Sequence, residues 1–410
     1  MLSKRRFIKT AAAILSAALV GLFGTAEYYS SKLPAVMTAE PGKELRIAGY
    51  PELSCISAPD GAMPAAGARS DTERVTLTLF GAIPVKNVEV RETEAPVLAV
   101  GGNPFGIKLL MEGVMVTGLG EVENENGELS CPAEEAGIRI GDVIRLAGGE
   151  RLTSNQQLQE AITASDGEPV ELLAERDGEE FTTCLQPVFS QRSHSWKGGM
   201  WVRDSIAGIG TMTFFSKATG EFAGLGHPIC DSDTGAIVPI HSGEAVPVEI
   251  TETRRGARGI PGELRGRFSF GESFGVLSRN NGSGIYGTLS ENALAALSEG
   301  CTEYKMGYRQ EITAGPAEIY ATVSGETPEK YSIEIEKVDY NSSGSSKNMV
   351  IRITDQRLLD ASGGIVQGMS GSPIIQNGKL IGAVTHVFVS DPTCGYGIFA
   401  ENMVQYLSEQ

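Results

Sequence analysis

A serine held between glycines on a tight turn is the feature of this chain best suited to covalent chemistry: the segment Gly368-Met369-Ser370-Gly371-Ser372-Pro373. On such a turn, backbone N–H groups can converge on a developing oxyanion, which acyl transfer needs. A neutral seryl hydroxyl is a weak nucleophile, so a histidine must take its proton. The chain has four: His194, His227, His241 and His386. His227 lies in the glycine-rich turn Gly224-Leu225-Gly226-His227-Pro228-Ile229, directly after a predicted strand pair. His194 falls in a polar linker, and His386 sits on an apolar strand over residues 383–389. These placements favour His227 as the base and give His386 a structural or pocket-lining role.

What must position these residues is read from periodicity and glycine punctuation. Residues 200–410 show many short alternating runs, at 208–215, 236–240, 246–250, 319–323, 331–338, 349–353 and 380–389, with 291–297 the only clear helix. That is an all-β pattern, long enough for two six-stranded barrels. Ahead of it, residues 189–199 read as a linker. Residues 27–96 read as an extended tether ending in a short β segment, with strands around Gly81 and Pro84. Lys4, Arg5, Arg6 and Lys9 precede an uncharged apolar run over 10–26, so residues 1–26 read as a signal peptide or signal-anchor. The chain is thus expected to be mainly β, with an N-terminal membrane or signal helix, and to work outside the cytoplasm.

Composition narrows the function. Net charge is −17, and such a field repels nucleic acid and anionic headgroups, so no nucleic-acid partner is expected. The six cysteines never form a C-x-x-C pair; no metal site is expected, and they are read either as disulfides or as isolated thiols. Arg254, Arg255, Arg258, Arg265 and Arg267 form a basic stretch, read as a solvated loop or as a docking or self-cleavage segment.

Residues 97–188 have a different grammar. Pro132-Ala133, Ala136-Gly137-Ile138, Gly141-Asp142-Val143-Ile144 and Gly148-Gly149, with a helix predicted from Asn155 to Thr163, resemble PDZ domains of bacterial envelope proteases, which are α+β units. Such a domain binds an extended peptide as an added strand and holds its carboxylate on the N–H groups of a φ-Gly-φ loop. Phe105-Gly106-Ile107 stands where that loop is expected, with peptide C-termini or the chain's own N-terminal segment as partners.

The serine segment resembles the G-x-S-G-x-P turn of chymotrypsin-like peptidases, which fold as a double β-barrel. That likeness implies Ser370 as nucleophile, the N–H groups of Gly368 and Ser370 as the oxyanion hole, and a histidine that precedes the serine. Gly-His-Pro-Ile with Asp231 and Asp233, Ile353-Thr354-Asp355, and Gly-Met-Ser-Gly-Ser-Pro-Ile with Gly-Ala-Val-Thr-His-Val together resemble the SpoIVB peptidase family of endospore-forming Firmicutes. The resemblance implies a serine endopeptidase without a cofactor. Its third catalytic member would be Asp355, with Asp231, Asp233 and Asp339 as alternatives. It further implies export from the forespore, membrane anchoring followed by release through self-cleavage, and a protein substrate within a membrane-bound sporulation protease–inhibitor complex. The rival reading is an exported PDZ adaptor whose barrel only binds.

Overall fold

The computed structural model describes residues 2–43, 45–57, 72–268, 273–342 and 345–407. Helix Leu2–Lys32 opens the chain, and its segment Ala12–Lys32 is long and apolar enough to cross a membrane. Almost none of that segment is covered by protein.

The β segment expected at the end of residues 27–96 is present as Thr72–Leu79 and Ile83–Glu92, but it belongs to a four-stranded sheet that takes in the expected tether. Strands Val36–Ala39, Ile83–Glu92, Thr72–Leu79 and Leu53–Ser57 lie side by side in that order. Alternate residues bury one face, Met37, Leu77, Leu79, Val88 and Val90 among them, and Leu33 at the end of the long helix joins this core. The glycine- and proline-rich stretch 58–71 lies outside the described residues. The sheet is tied to the rest of the molecule by Glu40 on Lys305 at 2.7 Å and by Thr38 on Glu401 at 3.1 Å.

Two closed six-stranded antiparallel rings follow. In the first, Pro104–Leu119, Met200–Phe215, Glu221–Gly224, Gly284–Leu289, Gly275–Asn281 and Ile240–Arg254 pair successively, and the last pairs back with the first. In the second the succession is Gly315–Ala321, Glu329–Val338, Met349–Ile353, Asp391–Phe399, Lys379–Phe388 and Pro373–Gln376, which pairs back with Gly315–Ala321. Numbered along the chain, both rings run first, second, third, sixth, fifth, fourth, the same order twice. Phe105, Leu109, Phe215, Phe222 and Ile285 fill the first. Ile319, Ile333, Ile351, Ile374 and Phe399 fill the second.

This ring order corrects the expected boundaries. The first barrel strand lies before the PDZ unit, not after it, so the PDZ unit is an insertion between the first and second barrel strands. Strand Pro104–Leu119 serves both bodies: Phe105, Ile107 and Leu109 face the barrel core, whereas Val114 and Val116 join the PDZ core with Ile144, Leu158, Ile162 and Leu172. The change of direction falls at Gly113, whose φ of +94° favours glycine and where a Cβ would stand 2.6 Å from the Ile144 carbonyl oxygen. The stretch read as a linker holds a hairpin, Val188–Ser190 with Ser195–Lys197. Two short helices, Gln356–Ser362 and Ala400–Val404, were not expected.

Within the PDZ unit, helix Asn155–Ala164 starts where expected and is capped by Ser154. Ser154 accepts the Gln157 N–H while the Gln157 side chain reaches back, a reciprocal capping box. Replacing Ser154 with Ala should cost about 1 kcal/mol of PDZ stability. The chain's two tryptophans, Trp196 and Trp201, both lie beside this helix, so a urea titration followed by tryptophan fluorescence reads the loss directly.

Candidate active site

Ser370 stands just before the fourth strand of the second barrel, and His227 just after the third strand of the first. The two turns face each other across a cavity of about 410 Å³ at the junction of the barrels. Ile206, Ile209, Leu225, Val366 and Val387 give it apolar walls.

The serine turn is fixed by the other barrel. Thr211 donates its N–H to the Ser370 carbonyl at 2.9 Å and its hydroxyl to the Gly368 carbonyl at 2.8 Å, and the Thr213 hydroxyl donates to the Gly371 carbonyl at 2.8 Å. Gly368 and Gly371 each have a φ of +99°. A Cβ at 371 would lie 1.9 Å from the Thr211 carbonyl oxygen, so only glycine fits there. Met369 is fully buried, anchoring the turn from beneath. Among the described residues, the N–H groups of Gly368 and Ser370 donate to no other group, which leaves both for an oxyanion.

The histidine turn carries two successive left-handed residues, Leu225 at φ +66° and Gly226 at +70°. For a leucine this conformation costs roughly 1–2 kcal/mol, a strain of the kind that surrounding packing maintains at functional sites. Leu225 is buried, and its N–H donates to the Thr211 carbonyl at 3.2 Å. The His227 Nδ1 lies 2.8 Å from the Pro228 carbonyl oxygen. A carbonyl can only accept, so Nδ1 carries the proton and Nε2 is left as the basic nitrogen. Burial pulls the His227 pKa below the ordinary imidazole value, and the Pro228 carbonyl opposes that only in part.

His386 also lines the cavity, its ring 4.7 Å from that of His227. Strand Lys379–Phe388 slips register between Val384 and Val387, and this bulge turns both Thr385 and His386 toward the site. The Thr385 carbonyl accepts the Ser370 hydroxyl at 2.7 Å. Burial, then the proximity of His227 and Lys347, lowers His386 to about 4.

Asp355 is not brought to the imidazoles. It caps helix Gln356–Ser362, accepts the N–H groups of Arg357 and Ser332, and pairs with the Arg357 guanidinium at 2.9 Å. The Arg357 bonds hold its carboxyl below the usual range. Asp339 stays on a turn with Asn341, while Asp231 and Asp233 both meet Arg203. None of the four lines the cavity. Where an orienting acid was sought, the hairpin between the fifth and sixth strands of the first barrel supplies Asn280. Its carboxamide accepts the Ile229 N–H and donates to the Ile229 carbonyl, each at 2.8 Å, so it braces the backbone of the turn rather than the ring. Only the barrel pairing reveals this residue, because nothing in its local sequence marks it.

Phe105-Gly106-Ile107 is not a PDZ loop. These residues pair with Ile209, Gly210 and Gly208 on one side and with Ala245, Val246 and Pro247 on the other, inside the first barrel. A Cβ at Gly106 would meet Val246 and the Phe268 ring at 2.6 Å, so the glycine serves strand packing. The PDZ groove lies elsewhere, between helix Asn155–Ala164 and residues 197–202, and it includes Leu158, Ile162, Gly198, Gly199 and Trp201. Gly198 and Gly199, which line this groove, follow the PDZ pattern in sequence instead of opening it.

Two closed barrels of identical strand order, with a serine turn from one facing a histidine turn from the other and a PDZ unit inserted in the first, form the architecture of a PDZ-bearing peptidase. The chain belongs to the SpoIVB peptidase S55 family, which matches residues 194–404, and residues 128–176 match the PDZ domain family. A predicted zinc metalloprotease of Bartonella henselae is 33% identical over 79 residues, which are 19% of this chain and 22% of that protein. The chain thus spans about a fifth of that relative. Among solved structures, the PDZ domain of the SdrC-like protein Lmo2051 from Listeria monocytogenes is similar over 22% of this chain and 87% of its own, at 17% identity and a TM-score of 0.18. The inactive form of the Rv3671c protease is similar over 49% of this chain and 83% of its own, at 11% identity and a TM-score of 0.28.

Two outcomes follow from this geometry. Gly371→Ala should lower stability by at least ~2 kcal/mol in chemical denaturation and abolish activity, since the Thr211 backbone cannot retreat without opening its strand. For pH, burial lowers the pKa of His227 below its unfolded value near 6.5, and a histidine acting as general base works unprotonated. The acid limb of kcat/KM should therefore fall below pH 6.5. Stability conferred by the two neutral imidazoles is complete above about 6.5 and declines as pH falls toward about 4, where the unfolded chain binds more protons. An acid limb at pH 7 or higher would contradict the assignment.

Proposed function

We propose that this chain is a serine endopeptidase, held at a membrane by its N-terminal helix, in which Ser370 attacks the scissile carbonyl and His227 receives the hydroxyl proton on Nε2. The observation that carries this reading is the meeting of the Ser370 and His227 turns in one cavity between the barrels, with two N–H groups left for the oxyanion. The Pro228 carbonyl sets the imidazole tautomer, a task that a carboxylate performs in a Ser-His-Asp triad. His386 lines the same cavity and supports the site without being the base. Family membership favours a signalling role in sporulation: the peptidase would cut the extracytoplasmic part of a membrane-bound inhibitor complex and release itself by self-cleavage. Peptide C-termini or the chain's own N-terminal segment would occupy the groove beside helix Asn155–Ala164. The apolar cavity walls suit an aliphatic side chain next to the scissile bond.

The reading is tested by comparing full-length variants for self-cleavage and for hydrolysis of a peptide substrate. Ser370→Ala should be inert while keeping its fold. His227→Ala should lose about 10³-fold or more in kcat/KM, and His386→Ala about tenfold. Asp355→Asn should remain within about tenfold of wild type, because the carboxyl caps a helix remote from the imidazoles. Undiminished self-cleavage by folded Ser370→Ala protein would overturn Ser370 as the nucleophile, whereas folded wild-type protein that cleaves neither itself nor the peptide would leave the adaptor reading in its place.

A further inference from the structure

Strand Met200–Phe215 leaves the PDZ unit and enters the first barrel, and its first residues have duties on both sides. Met200, Trp201 and Val202 line the groove opposite helix Asn155–Ala164. Met200 and Trp201 pair through their backbone with Leu119 and Gly118. Next come Arg203 and Asp204, whose side chains bond to different elements. The pairing slips register between Trp201 and Val202 and again between Arg203 and Ser205, so the strand is bulged at this point.

The two side chains reach different bodies. The Arg203 guanidinium binds Asp231 through one nitrogen and Asp233 through another, at 2.7 Å for the latter. Both aspartates belong to the turn that carries His227 and Cys230 into the catalytic cavity. Asp231 is the inner brace of that turn: its side chain is wholly buried, and it accepts the N–H groups of Asp233 and Thr234 at 3.0 Å each. Asp204 accepts the N–H of Asn155, the first residue of the groove helix, at 2.9 Å. A buried carboxylate that loses its cation is expensive, so the turn cannot keep its shape independently of where Arg203 stands.

We propose that Arg203 is a positioning residue for the His227 turn, and that the Arg203-Asp204 pair couples the groove helix of the PDZ unit to that turn. The proposal rests on reading Ser370 and His227 as the working pair. A peptide strand added beside residues 200–202 would bear on the bulge and, through Arg203, on the alignment of His227 with Ser370. The coupling acts on turnover and not on substrate binding, because neither Arg203 nor Asp204 lines the cavity.

The test uses the full-length protein in detergent and measures the rate at which a fluorophosphonate labels Ser370, together with kcat and KM on a peptide substrate. Arg203→Met should slow labelling by about 10²-fold, the cost of displacing a catalytic group by about 1 Å, and lower kcat with KM unchanged. Arg203→Lys, which keeps the charge, should recover most of that rate. Asp204→Ala should slow labelling about fivefold, at the low end of the usual coupling between sites. The double variant Arg203→Met, Asp204→Ala should be no slower than Arg203→Met alone. If Arg203→Met fails to fold, Arg203→Lys and Asp204→Ala carry the test, since both keep Asp231 beside a cation. Labelling of Arg203→Met within threefold of wild type, an Asp204→Ala variant equal to wild type, or a double variant slowed by the product of the single effects would overturn the coupling. Folded wild-type protein that is never labelled at Ser370 would instead remove the peptidase reading on which the coupling stands.

Discussion

The cavity between the two barrels depends on one clip. Thr211 and Thr213, on a strand of the first barrel, satisfy the carbonyl groups of Gly368, Ser370 and Gly371 in the second. The turn is buried enough that leaving those carbonyls unpaired would cost of order 1–3 kcal/mol each. The same strand supplies the steric limit, since its Thr211 carbonyl occupies the space a Cβ at 371 would need. The second barrel alone therefore cannot hold its serine in place. Leu225 on the histidine turn also donates to the Thr211 carbonyl, so both halves of the site are registered on one residue. Neither turn can shift without disturbing the other.

The parts of this arrangement that are local in sequence could be read from the sequence. Glycine on either side of Ser370 and the Gly-Leu-Gly before His227 announce backbone conformations that other residues adopt poorly, and both turns were found where those glycines are. Alternating apolar residues announced enough strands for two barrels. The misreadings of the N-terminal sheet and of the first barrel strand share a cause: each concerned a non-local pairing. The sheet over residues 36–92 joins its first strand to its last in parallel, Val36 opposite Glu89, and no local period records such a partner. Residues 104–107 continue without interruption into a strand of PDZ composition, so the border between two bodies inside one 16-residue strand left no mark except Gly113. Asp355 was assigned by likeness, whereas its immediate context, an acid ahead of Gln356–Ser362, is that of a helix cap.

The absence of an acid beside His227, among the described residues, changes the electrostatics of the proposed proton transfer. A carbonyl such as that of Pro228 fixes the tautomer as a carboxylate does, yet it carries a dipole and no net charge to offset an imidazolium. Burial works in the same direction by disfavouring the charged ring. His227 is thus a weaker base than one paired with aspartate, although it remains unprotonated over a wider acid range. His386, at about 4 and close by, is neutral under the same conditions and adds no competing positive charge.

The place of the PDZ unit in the chain bears on how the proposed base would be controlled. An appended domain joined by one linker can rotate freely and report little. Here the strand entering the insertion and the strand leaving it pair with each other over most of their length, from Pro104 opposite Thr211 to Leu119 opposite Met200. A slip of one residue along this ladder would reverse every inward and outward side chain, so wholesale sliding is forbidden. What remains is movement at the bulges near Trp201 and Asp204, where the ladder is already interrupted. Those interruptions lie between the peptide groove and the turn bearing His227. On the proposed coupling, any displacement the groove imposes is therefore concentrated where Arg203 meets the aspartates of the His227 turn.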